Sequence, residues 1–190
     1  ELGDALIAEN EVHAGGPPKD GIPALMTPEF LAVDQASYLR DSDRILGLER
    51  NGIAKAYPIR ILVWHEIVND HFDGLATVIS YCPLCGTGMV FDARIKGNAL
   101  TFGVSGLLYN SDMLLYDHQT ESLWSQILMQ AVSGEHKGNK LALLPLRHTT
   151  WGDWRAKNPQ TLVLSSNTGY SRDYDRTPYM GYEQSPALYF

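Results

Sequence analysis

Glycine-bearing turn pairs recur along this chain at the spacing of short β-hairpins, and they constrain its fold more than any other feature. Asn51-Gly52 separates residues 44–49 from 53–57, and Asp73-Gly74 separates 66–72 from 75–81. A two-residue hairpin loop of this kind needs positive φ at both central positions, which Asn, Asp and Gly tolerate. Lys96-Gly97-Asn98 separates 87–95 from 99–104 in the same way, and 113–116 reads as another strand. Pro58 suits the first turn of a short helix through Trp64. Residues 120–132 fit a helix, with Leu123, Trp124, Ile127, Leu128 and Ala131 on one face and Gly134 as cap, or equally a strand pair. Thr149 or Thr150 is the expected cap of a helix carrying Trp151 and Trp154 that ends at Asn158-Pro159, before a late strand at 161–165. The expected fold is mainly β with a few short helices (α+β): a single compact domain, 1–190, of sequential hairpins. Within it, 1–43 is a Pro/Gly-rich wrapping segment and 44–190 the mainly-β core. Gly15-Gly16-Pro17-Pro18, Pro23 and Pro28 forbid a regular helix early on, so that segment covers the surface or forms one wall of a pocket.

Composition narrows the function classes. Hydrophobic residues make up 44% and charged residues 19%, which supports a packed core and argues against disorder. With 15 basic and 22 acidic side chains the net charge is −7, so the chain lacks the basic surface that nucleic acid requires. No apolar run approaches the ~18–20 residues of a membrane-spanning helix. The first ten residues lack the basic and apolar regions of a signal peptide, and the numbering opens at Glu1, so a targeting segment or lipid anchor upstream stays compatible.

The two cysteines stand together in Cys82-Pro83-Leu84-Cys85-Gly86-Thr87-Gly88. Two cysteines three positions apart staple little, so they read as a site. The Asp73-Gly74 hairpin adds a third member. If Phe72 pairs with Leu75, paired residue numbers sum to 147, and His65 falls opposite Cys82 on the same face, unless the preceding helix runs through His65. Cys82, Cys85 and His65 form a soft ligand set suited to copper, with zinc as the alternative. Three ligands leave a position open, whereas a closed structural zinc site needs four. Met89 reads as a core residue. Glu66, Tyr109 and Asp112 are candidates to orient the ligands or a substrate.

The rival reading is metal-free thiol–disulfide exchange, with Cys82 attacking and Cys85 resolving. A third is a non-enzymatic binding module using the Tyr- and Trp-rich surface. Other motifs fail on inspection. His65-Glu66 lacks the second zinc-protease histidine, because Asn69 stands there. Gly103-Val104-Ser105-Gly106-Leu107 misses the last glycine of a nucleophile elbow. Residues 105–112 read as an uncharged polar loop of the sort that lines sites.

Several runs together resemble one family: residues 15–23, Trp64-His65-Glu66-Ile67-Val68-Asn69-Asp70, the Tyr81 to Gly88 stretch, 102–112, Thr120-Glu121-Ser122-Leu123-Trp124-Ser125-Gln126 and Pro178-Tyr179. The chain is similar over nearly its whole length to the bacterial and archaeal domain-of-unknown-function family three-one-seven-nine. The resemblance makes Cys82-Pro83-Leu84-Cys85-Gly86-Thr87 a hallmark. It implies export, sometimes as a lipoprotein, hence a periplasmic or extracellular location. Members commonly carry Arg where His118 stands, which argues against a shared ligand role for His118. The expectation is therefore a soft-metal protein, a candidate metal-dependent oxidoreductase, whose partners are a small molecule or a metal donor.

Overall fold

The computed structural model describes residues 2–184. Its elements in chain order are β1 (Val12–Ala14), β2 (Phe30–Ala32), β3 (Arg44–Arg50), β4 (Ile53–Pro58), α1 (Ile59–His65), β5 (Ile67–Phe72), β6 (Leu75–Cys82), β7 (Thr87–Asp92), β8 (Arg94–Ile95), β9 (Asn98–Ala99), β10 (Phe102–Tyr109), β11 (Asp112–Asp117), β12 (Leu123–Ser125), β13 (Gln130–Ser133), β14 (Ala142–Leu143), β15 (Arg147–Thr150), α2 (Trp151–Lys157) and β16 (Leu162–Leu164). They form three larger sheets, ordered β1-β10-β11-β12-β13, β14-β7-β6-β5 and β15-β3-β4-β16-β2, beside the small β8-β9 hairpin. The described residues are mainly β, with two short α-helices.

The β14-β7-β6-β5 sheet is the middle layer. Side chains alternate across a strand, and here both faces find a partner. Ile67, Val78, Cys82 and Phe91 pack with Phe102, Met113, Leu115 and Trp124 of the first sheet. Val68, Ile79, Tyr81 and Val90 pack with Leu46, Leu48 and Tyr57 of the third sheet and with Ile61 and Leu62 of α1. Every residue of β6 is consequently buried. The outer face of the third sheet is closed by α2 through Trp151 and Trp154. Thr150 caps that helix, its hydroxyl accepting from the Asp153 amide at 3.3 Å.

The first two hairpins fold as their turns dictate. Asn51 and Gly52 take φ 51° and 78°, Asp73 and Gly74 take 53° and 73°, and β5 pairs with β6 from Phe72↔Leu75 to Ile67↔Ser80, every pair summing to 147. Three local expectations change. The third turn is tighter: Lys96-Gly97 joins β8 to β9, and the strand after it begins at Phe102. Residues 105–112 are not a loop. β10 runs on to Tyr109 with a bulge between Val104 and Leu107, and Asn110-Ser111 (φ 51° and 60°) makes a tight hairpin turn into β11. Residues 120–132 take the strand alternative as β12 and β13, because pairing with β11 satisfies their backbone while Trp124 fills the core. The early segment contributes β1 to the first sheet and β2 to the third.

Candidate metal centre

Cys82 ends β6, the next four residues turn, and Thr87 opens β7 directly opposite Cys82. Gly86, at φ 64°, lets the chain reverse there. The turn splits the cysteines: Cys82 is 1% exposed and packed in the core, whereas Cys85 faces solvent. From the neighbouring sheet, the Asn110-Ser111 turn brings up Asp112, the first residue of β11. The Cys85 sulfur lies 3.4 Å from Asp112 Oδ1. One ligand atom from each of Cys82, Cys85 and Asp112 lies within 4.8 Å of the others. These three residues form a possible metal-binding group.

Their electrostatics reinforce one another. The Cys85 thiol is held below its ordinary value, chiefly by a hydrogen bond from the Cys82 thiol, with Thr87 and Asp112 adding further bonds against the opposing effect of burial. Cys82 is pushed far up by that same bond, by burial, and by the charges of Cys85 and Asp112. Burial first, then the Cys85 charge, raises Asp112 to about 7, although the amides of Ile127 and Met113 pull the other way. Three acidic groups thus share one small space, and repulsion restricts how many of them ionise. A cation at their centre would relieve it.

Gln126 adds a sign of an absent partner. Its amide nitrogen donates to Ser80 Oγ at 2.9 Å and to the Thr87 carbonyl at 3.3 Å, and the next amide, Ile127 N, donates to Asp112 Oδ2 at 3.1 Å. Gln126 is 1% exposed, yet its Oε1 is the one buried side-chain polar atom with no hydrogen-bond partner among the described residues. A buried acceptor beside the ligand group suits a bound water or ligand donor.

His65 does not join the cysteines. The β5–β6 ladder stops at Ile67↔Ser80, because α1 runs through His65 and Glu66 turns the chain with φ 58°. The His65 ring instead lies between the Pro23 carbonyl, 2.8 Å from Nδ1, and the Tyr174 hydroxyl, 2.7 Å from Nε2. Since a carbonyl only accepts, Nδ1 carries the proton and Nε2 accepts from Tyr174. Burial, the largest influence, lowers its pKa. Asp112, expected only to orient ligands, takes the third place.

The remaining candidates scatter. Tyr109 packs against the small core of Ile7, Leu114 and Val132. Glu66 is buried at the end of α1 and accepts from Tyr179 at 3.1 Å. Met89 packs against the main core. His118 bonds Thr101 at 3.0 Å and meets the Tyr116 ring. No helix among the described residues is long and apolar enough to cross a membrane. Gln126 is not among the residues expected from sequence at the site; its local signal is a polar residue in a stretch with a helical alternative.

No curated protein and no solved structure matches the chain. The family model described as "Protein of unknown function (DUF3179)" matches residues 19–190. The long runs around Trp64, Cys82 and Trp124, which build the packing on both faces of the middle sheet and the thiol-bearing turn, belong with that match: the chain is a member of the DUF3179 family.

Proposed function

We propose that this protein binds one soft or borderline metal ion through Cys82, Cys85 and Asp112. The observation that carries the reading is the convergence of two sulfurs and a carboxylate, from two different sheets, within 4.8 Å. The donor set refines the metal. With imidazole absent from the group, the case for copper rests on the two sulfurs alone, a set that suits Cu(I). Zn²⁺ accepts a carboxylate beside thiolates and uses all three donors, so it is the better fit. Three protein ligands leave a fourth position, open to water or a small molecule on the solvent side of Cys85. Such a site can activate a bound water or polarise a substrate. Export from the cytoplasm is part of the proposal and rests on the family resemblance.

The test is metal content. Protein reduced anaerobically and loaded with Zn²⁺ or Cu(I) should retain about one ion per chain. Cys82→Ser should lose it, and Asp112→Asn should weaken Zn²⁺ at least tenfold while sparing Cu(I). Retention of neither ion would overturn the proposal.

One feature favours a second reading, thiol–disulfide exchange. The exposed, activated sulfur is Cys85 and the buried one Cys82, the reverse of the order expected from sequence. In that reading the Cys85 thiolate attacks a substrate disulfide and expels one thiolate. Cys82 then attacks the Cys85 sulfur, expels the second substrate thiolate and leaves a Cys82–Cys85 disulfide. Metal-free protein that reduces a disulfide at catalytic rates would decide for it.

A further inference from the structure

Beneath the Cys82–Cys85 turn lies a chamber that the proposed ligands do not use. Its volume is about 70 Å³, and its wall includes Leu84 of the turn, Met113 next to Asp112, Leu107 beside the β10 bulge, Ile22 of the early segment, and Glu66. The side chains of the wall are apolar apart from Glu66 and Tyr179, whose hydroxyl donates to Glu66 at 3.1 Å. Glu66 is 6% exposed, and no cation among the described residues offsets its charge. Its position is enforced. Glu66 takes φ 58° and ψ −34°, a region that side-chain-bearing residues rarely occupy. It is held there by its amide, which donates to the Leu62 carbonyl at 2.7 Å, and by its carbonyl, which accepts from Tyr81 N at 2.8 Å. A glycine would relieve the strain. What Glu66 adds is a carboxyl group aimed into an oily chamber.

The geometry points to a second binding site, in which a short aliphatic amine seats its ammonium on the Glu66 carboxylate and its carbon chain among Leu84, Leu107 and Met113. A cation is what a desolvated carboxylate lacks here, and hydrocarbon is what the remaining wall accepts. Size restricts the ligand. An apolar cavity of about 150 Å³ takes benzene, so roughly half that volume takes about three or four heavy atoms, the size of ethylamine or propylamine. Because Leu84 stands between the two cysteines in sequence, an occupant of this chamber lies against the turn that carries the metal ligands.

The experiment is a chemical-shift titration of reduced, metal-free protein with propylammonium at constant ionic strength. Saturable shifts are expected at Glu66, Leu84 and Met113. Butylammonium should bind more weakly than propylammonium, and Glu66→Gln should cut affinity at least tenfold while the rest of the spectrum stays folded. Should Glu66→Gln not fold, Leu84→Trp fills the chamber and should abolish the shifts. Cys82→Ser should leave amine binding intact, so failure here is distinct from failure of the metal site. Absence of saturable shifts, or equal affinity in Glu66→Gln, would overturn the inference.

Discussion

Asp70 and Asp112 are both buried carboxylates in β-strands, 8% and 2% exposed, and they are treated in opposite ways. Asp70 is compensated. Lys55 Nζ lies 2.7 Å from its Oδ2, the Tyr57 hydroxyl donates to the same oxygen at 2.7 Å, and the His71 amide donates to Oδ1 at 2.7 Å. Lys55 itself is seated against the Phe30 ring and bonds the His71 carbonyl. Asp112 has the backbone amides of Ile127 and Met113 and two cysteines, and no cation. A buried charge with its counter-ion in place joins sheets and needs nothing more. A buried carboxyl set beside thiols with no counter-ion is stable only as an acid or with a cation supplied from outside. The difference separates a buried charge balanced within the fold from one that is not.

The largest effect expected from this contrast is at Lys55. Lys55→Met strands Asp70 without its partner and should cost about 3–5 kcal/mol of stability, read by urea unfolding, with metal uptake at the cysteines preserved. An effect at Asp112 as large and of the same sign would erase the distinction. The opposite sign is expected there. A carboxyl whose folded pKa is raised binds more protons folded than unfolded, so its contribution falls as pH rises from its unfolded value near 4 to its folded value of about 7. That shift corresponds to at most about 4 kcal/mol. Metal-free Asp112→Asn should therefore be more stable than the parent at pH 8 by roughly 1–3 kcal/mol and no more stable at pH 4. Loss of stability at both pH values would show Asp112 to be as structural as Asp70.

Glu66 offers a sharper version. Burial raises it from 4.5 to about 7, against the Tyr179 hydrogen bond. Glu66→Gln should flatten the fall in stability between pH 4.5 and 7, and thermal melts across that range measure it. At the thiols, Cys85 should be alkylated at least about tenfold faster than Cys82 at neutral pH, because its thiolate is favoured and exposed. Equal rates, followed by mass mapping, would remove the asymmetry between them. The smallest effect belongs to charge pairs outside the contrast. Arg155 and Asp41 pair at 2.6 Å but are 43% and 68% exposed, so Arg155→Ala should change stability by no more than about 0.5–1 kcal/mol.

Much of this architecture is readable locally. Asn51-Gly52 and Asp73-Gly74 set two hairpins and their registers, Thr150 caps α2, and the cysteines announce their own proximity. The ladder stops two residues short of the pair that would join His65 to Cys82. Counting to 147 carries the ladder from Phe72 to Ile67, but whether it reaches His65 depends on where α1 ends, and α1 ends only at His65. A helix and a strand compete for that residue, and packing of Ile61 and Leu62 into the core decides it. Asp112 was visible as a polar residue near a turn. Its role was not, because Cys85 and Asp112 belong to different sheets and the path between them passes through three hairpins.

The sequence by itself determined the local geometry: turns with positive φ, strand alternation, a capped helix, and two thiols held three residues apart. These follow from backbone sterics and from side-chain period, which act over a few residues. Only the tertiary structure decided which acid meets the thiols, which cysteine is buried, and that Glu66 faces a chamber rather than a ligand. Those outcomes depend on how three sheets stack, and stacking is set by the summed burial of side chains distant in sequence, which no local pattern records.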